Sequence, residues 1–264
     1  MTSPQAMDYP FVDLELARRL ESAEGDASAN YVAARAEVVP ESQATSARIA
    51  GAYAMFDGVG SPLTQTFALG MFETAGAAEL AELEQYFALR GAETMHEVSP
   101  LADPSTLSAL TERQYQPFEY TSVRFRPLAA AASTAVSPGE IAVRTAAADE
   151  VEVWSETAAA GWSEYVEAAD YMREMGKVSA RTRNCAMFLA WLNGEPVATG
   201  AMHVGTDVAL LAGASTVPAA RRQGAQSALL AARLDYAVDA SCKLAMMCAQ
   251  PGSASQRNAE RNGF

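Results

Sequence analysis

Apolar positions along this chain recur at two spacings, helical and alternating, and the two kinds of segment follow one another throughout. Leu14, Leu16, Ala17 and Leu20 fall on one side of a helix predicted over residues 11–21, which should fray across the glycine- and asparagine-bearing stretch 25–30. Residues 35–39, 47–56 and 63–72 read as strands, with Asp57-Gly58 and Gly60-Ser61-Pro62 supplying turns. A helix over 77–89, a strand over 93–99, a short helix over 105–113 and a closing strand over 118–128 complete the first half. The alternation from Tyr120 to Arg126 suits an antiparallel strand with one wet face.

Residues 129–139 are small and turn-prone and mark a linker. Beyond it the pattern predicts a strand over 141–144 and helices over 149–159 and 163–174. Apolar runs 187–192 and 197–203 flank Asn193-Gly194, a hairpin signal. A strand over 210–214 then leads through a turn into a helix carrying Leu230, Leu234, Ala237 and Val238 at helical spacing. Residues 243–250 are almost continuously apolar up to Pro251, as in a strand buried on both faces. Both halves run hairpin strands, helix, strand ending in proline, short helix, which reads as an internal repeat. The expected fold class is α/β (α+β): two tandem mixed-sheet domains, 1–128 and 140–264.

Composition narrows the function classes. Half the residues are hydrophobic, enough for two cores, and the formal net charge of −13 argues against a nucleic-acid partner. Residues 221–264 reverse the balance, with six basic side chains against three acidic ones. A polyanionic ligand would sit at that end, and a cationic amine would be drawn to the acidic remainder. No apolar run is long enough to span a bilayer, and residues 1–10, without a basic or an apolar region, are not expected to be a signal peptide. Cys185, Cys242 and Cys248 lack metal-ligand spacing, and with only His96 and His203 no metal site is expected. Reduced thiols fit a cytoplasmic location.

The turn after residues 210–214 carries the chemistry. Strand, turn and helix with Arg221, Arg222, Gln223 and Gly224 in the turn is a recipe for binding phosphate. The first turn of a helix has backbone N–H groups without intrahelical partners, and its dipole favours an anion there. Glycine admits φ > 0 and close approach, and arginine adds a planar, permanent cation. The run Thr216-Val217-Pro218-Ala219-Ala220-Arg221-Arg222-Gln223-Gly224-Ala225-Gln226 resembles V-x-P-x-x-R-x-x-G-x-[G/A], the acyl-CoA signature of the GNAT N-acetyltransferase superfamily. Two positions depart from it: Thr216 stands for the leading valine and Gln226 for the closing Gly or Ala. A second likeness runs from Pro251 to Asn258 and into Asn262-Gly263-Phe264, a loop and helix ending in G-F. The resemblance covers residues 139–264.

The resemblance implies acetyl-CoA as co-substrate, held by Thr216, Val217, Arg221, Arg222, Gln223, Gly224, Ala225, Gln226 and Asn258, and an N-acetyltransferase acting on a primary amine of a small molecule or peptide. Strand backbone near Thr216 and Val217 would polarise the thioester. The family's thiol-protonating tyrosine falls on Ala259 here, which leaves Ser253, Ser255 and Asn258 as the nearest polar substitutes and Glu164, beside Trp162 and Tyr165, as a candidate base. An acyl-CoA-sensing module without turnover, or an interaction protein built on two relics of the fold, are the alternatives. The first half is expected to bind no CoA, because its turn, residues 73–79, offers carboxylates and no arginine. The second half also ends where the family adds further strands. The expectation is either that the chain is truncated relative to its relatives or that the edge of 243–250 is covered by the N-terminal half or, in a homodimer, by a second copy of the chain.

Overall fold

The computed structural model describes residues 9–128 and 141–264. The expected linker lies outside them. The chain divides into two compact units, Phe11–Tyr120 and Thr121–Phe264, with Tyr9 and Pro10 belonging to the second.

The first unit opens with α1 (Leu14–Val38). The helix neither frays at residues 25–30 nor yields to a strand at 35–39. Gly25 is buried where a Cβ would come within 2.4 Å of the Tyr53 ring, so this glycine serves close packing and not a helix end. The next segment is a hairpin, β1 (Thr45–Ile49) and β2 (Ala52–Phe56), turning at Ala50 and Gly51, both at positive φ. β3 (Gln65–Phe67) completes an antiparallel sheet of order β1-β2-β3. α2 (Ala77–Ala88) and α3 (Pro104–Glu112) follow as the periodicity predicts. β2 is buried along its whole length: Tyr53 and Met55 join a core with Ala17 and Val32 of α1, while Ala54 and Phe56 join one with Leu80, Leu83 and Phe87 of α2. The strand expected over 93–99 reduces to a single bridge between Thr66 and His96.

In the second unit β4 (Ser122–Pro127) and β5 (Ile141–Thr145) precede α4 (Val151–Ala160) and α5 (Val166–Ser179). β6 (Cys185–Leu192), β7 (Glu195–Val204) and β8 (Val208–Thr216) form a meander whose first turn has Asn193 and Gly194 at positive φ. α6 (Ala225–Asp239), β9 (Leu244–Ala249) and α7 (Ala254–Arg261) end the chain. The six strands lie in the order β4-β9-β8-β7-β6-β5, antiparallel except for β8 against β9. Trp154 of α4 is fully buried on one face and donates its indole N–H to the Phe188 carbonyl (3.0 Å). Leu229, Leu230 and Leu234 of α6 pack on the other.

The division corrects the expected boundary at residue 128. Residues 122–127 do not close the first unit's sheet; they pair antiparallel with β9, from Ser122↔Ala249 to Pro127↔Leu244. The face expected to be wet is covered by α7: Arg124 pairs with Glu260 (2.9 Å), and Arg126 caps the helix end through the Asn262 carbonyl (2.7 Å). The edge of β9 is thus covered by this chain's own segment, and no second copy is needed there. Among the described residues no helix is long and apolar enough to cross a membrane.

Candidate functional site

The site begins where two parallel strands part. β8 and β9 share only three paired positions, Val208↔Leu244 to Leu210↔Met246. Beyond these, β9 continues beside β4 and β8 continues beside β7 alone. A bulge helps β8 turn away: Thr199↔Ser215 and Ala201↔Ala212 leave Gly200 facing both Gly213 and Ala214, with Gly213 at φ +58°. Val217 N–H donates to the Val197 carbonyl (2.9 Å). By strand alternation the Thr216 N–H then points away from β7, toward the gap. Val217 was expected to help bind cofactor through its backbone, but its N–H is already used; the available donor is that of Thr216.

After Pro218 a single tight turn brings the chain to α6. Arg222 (φ +65°) and Gly224 (φ +92°) both take left-handed backbone. Around Gly224 a Cβ would meet nothing nearer than Ile141 Cδ1 at 4.0 Å, so the dihedral and not crowding selects glycine here. Successive backbone N–H groups from Arg222 to Ser227 have no acceptor among the described residues. They lie at the positive end of α6. Together with Gly161, Trp162, Glu164, Tyr165 and Ala214–Thr216, Arg222 and residues 224–227 line a cleft of about 590 Å³.

The predicted side chains divide by task. Arg221 is committed to the protein, donating to Glu164 Oε2 (2.8 Å) and the Gly161 carbonyl (2.9 Å) at the end of α4. Arg222 is exposed and without a partner among the described residues, so its charge faces solvent at the cleft. Gln223 bonds the Ala219 carbonyl (3.0 Å) and steadies the turn. Ala225 is buried as the first residue of α6. Gln226 donates to Thr216 Oγ1 (2.6 Å) across the cleft wall.

The candidates for catalysis fare differently. Glu164 lines the cleft, but its carboxylate is held by Arg221. Ser253 is the N-cap of α7, accepting from Gln256 N–H (3.1 Å). Ser255 is exposed on the same helix, and Asn258 accepts from Asn262 (3.4 Å). None of these three α7 residues lines the cleft. Ala259 is fully buried. His203 is buried in β7 opposite Cys185, whose thiol burial pushes up to about 11, far from a reactive thiolate.

Three features escaped the sequence reading. Ser215 Oγ donates to the Ala158 carbonyl (2.9 Å), and Gly161 sits so close that a Cβ would come within 1.9 Å of that oxygen. Together with Arg221 these contacts fasten the end of α4 to β8. The third is Arg233, buried on α6 behind the bulge. Isolated glycines inside predicted strands, Gly200 and Gly213, were the available signal for the bulge.

Residues 148–264 match the model of the Acetyltransferase (GNAT) family. No curated protein matches the chain. Among solved structures, a GCN5-related N-acetyltransferase from Kribbella flavida is 19% identical, with 89% of this chain and 90% of that one covered and a TM-score of 0.57. A tandem GNAT protein from the clavulanic acid biosynthesis pathway is 11% identical, with 80% and 73% covered and a TM-score of 0.55. A functionally unknown conserved protein from Staphylococcus epidermidis ATCC 12228 is 10% identical, with 70% and 73% covered and a TM-score of 0.52. At such identities the likeness is one of fold. Residues 148–264 thus resemble an acetyltransferase (GNAT) domain, and over most of its length the chain shares the fold of these GNAT structures.

Proposed function

We propose that the second unit binds acetyl-CoA and transfers its acetyl group to a primary amine. The observation that carries this reading is the run of unpartnered N–H groups from Arg222 to Ser227, opening onto a cleft walled by the diverging end of β8. The N–H groups and Arg222 suit the pyrophosphate; Thr216 N–H suits the acyl-carrying arm. Bound there, acetyl-CoA supplies a thioester carbonyl. The neutral amine attacks that carbon, the C–S bond breaks, the thiolate departs with the electron pair, and the proton lost by the nitrogen passes to water or to the departing thiolate. A thiol of pKa about 8.5 leaves near neutral pH without an enzymic acid, which accommodates Ala259 at the tyrosine position. Trp162 and Tyr165 form an exposed aromatic rim beside the cleft, where an acceptor amine would enter.

Ala259 and the Arg221–Glu164 pair also favour a second reading, a module that binds acyl-CoA without turnover. Thermal shift with acetyl-CoA, followed by thiol-release assays over amines, aminoglycosides, amino acids and peptides, separates the two. Stabilisation with release supports transfer, stabilisation without release supports sensing, and no stabilisation rejects both. The first unit is read as having no cofactor site: the N-terminus of α2 is occupied by its own Glu79, which accepts from Gly76 N–H (2.9 Å).

A further inference from the structure

Arg233 is a cation with almost no solvent, 2% exposed, and among the described residues no carboxylate pairs with it. Burying an unpaired guanidinium is costly unless its N–H groups are satisfied and the arrangement achieves something a leucine could not. Its Nε donates to the Leu229 carbonyl one turn back (3.2 Å). Its Nη1 is shared between the carbonyls of Ala201 and Ala212, each at 3.3 Å. These carbonyls belong to the pair at which β7 and β8 resume register past the bulge. The guanidinium also lies against Gly200, the β7 residue opposite the bulge, where a Cβ would be 3.1 Å from Cζ. One side chain of α6 therefore grips both strands at the place where β8 has just left β9.

We propose that Arg233 is a positioning residue for acyl transfer. By holding the Ala201 and Ala212 carbonyls it fixes the bulge that swings Ala214–Thr216 away from β9, and so sets where the Thr216 N–H stands relative to the acyl-carrying arm. The inference rests on the acetyl-CoA reading above and adds a division of labour to it. The turn Arg222–Ser227 holds the nucleotide end, and Arg233 governs only the arm that reaches along β8.

The test compares two ligands on the full chain: acetyl-CoA, and the nucleotide half of CoA without its pantetheine arm. Arg233→Met is expected to weaken acetyl-CoA at least tenfold and leave the nucleotide half within twofold. Amide exchange over residues 200–202 and 212–215 should accelerate at least tenfold while that of α6 stays unchanged. Parallel weakening of both ligands would mean a merely structural role, and no weakening of either would mean that the bulge does not need the arginine; either result overturns the proposal. Should Arg233→Met not fold, Arg233→Lys, which keeps a cationic donor but not the shared fork, is measured against the same two ligands and the same criteria. If the parent protein binds neither ligand, the cofactor reading fails separately, and the exchange at the bulge still decides whether Arg233 holds it.

Discussion

The amide of Gln226 donates to the hydroxyl of Thr216 at 2.6 Å, and these are the two positions at which the chain departs from the acyl-CoA signature. The departures compensate one another: a polar residue at the strand end supplies the acceptor that a long amide at the helix start requires. Thr216→Val strands the Gln226 amide and Gln226→Ala strands the hydroxyl, whereas the double variant removes both and restores the residue types of the signature. A double-mutant cycle in denaturant is expected to give a coupling of about 1 kcal/mol. Additivity within about 0.3 kcal/mol would show that the two side chains do not meet in solution.

Gly224 combines a left-handed backbone with a position among the free N–H groups. Gly224→Ala adds only the dihedral penalty, about 1–2 kcal/mol of stability. Gly224→Asp also sets a carboxylate against the anion, and the thermal shift produced by acetyl-CoA should vanish. A Gly224→Asp protein that folds and is stabilised as much as its parent would falsify the assignment of this turn. Titration of the parent should saturate at one CoA per chain.

Glu164 tests whether a cleft carboxylate is a base or an anchor. Its ion pair with Arg221 is exposed on both sides, so it is worth well under about 1 kcal/mol. Glu164→Gln is expected to leave thermal stability nearly unchanged and acetyl-CoA affinity equal or a few-fold tighter, because Arg221 gains freedom to turn to phosphate. Once an acceptor is known, a general base at this position predicts a fall of 10²–10⁴ in kcat, and an anchor predicts less than tenfold.

Much of the second unit was legible because its signals are local. Asn193-Gly194, the helical spacing through Leu230 and Leu234, and the Pro218–Gly224 turn each depend on residues a few positions apart. What escaped depends on distant partners. The alternation at 122–126 predicts a strand but cannot say which sheet takes it; that was decided by Met246 and Met247 of β9 and by the end of α7. Gly25 reads as a break in a helix until Tyr53 is seen against it. Residues 93–99 have strand-like composition but pair only through Thr66. Four of the six N–H groups, those of residues 224–227, could be expected from a helix start, whereas the occupation of Arg221 by Glu164 and Gly161 could not, since those residues are some 60 positions away.

Gly25 therefore carries a stability prediction opposite to the helix-propensity rule. In an exposed helix Gly→Ala gains up to about 1 kcal/mol. Here the added methyl would sit 2.4 Å from the Tyr53 ring, whose hydroxyl is tied to Asp26 (2.8 Å) and whose face is covered by Arg48. Gly25→Ala should cost about 1–3 kcal/mol by overpacking. In the Tyr53→Leu background the cost should shrink by more than half, and an unchanged cost would move its origin elsewhere.

The first unit also holds two ionisable groups whose shifts oppose each other in pH. Burial, with the nearby Glu97 charge, raises the Glu21 carboxyl to about 7, and burial lowers His96 to about 4. For Glu21 the folded protein keeps a proton that the unfolded chain releases at its ordinary 4.5, so stability falls as pH rises from 4.5 through 7 and then levels. For His96 the unfolded chain takes up a proton at its ordinary 6.5 that the fold refuses, so stability falls as pH drops from 6.5 through 4. Between the two ordinary values the slopes nearly cancel. Exchange-derived stability of residues 11–120 should therefore be highest across that plateau and decline by roughly 0.7 kcal/mol on either side, because only the half unit of each shift outside the plateau is uncompensated. Glu21→Gln removes the penalty of charging: it should stabilise the protein more at pH 8 than at pH 5 and leave the acid limb in place. A stabilisation equal at both pH values would show that Glu21 is already ionised in the fold at low pH, with the alkaline decline belonging to its neighbour Glu97, which burial also raises.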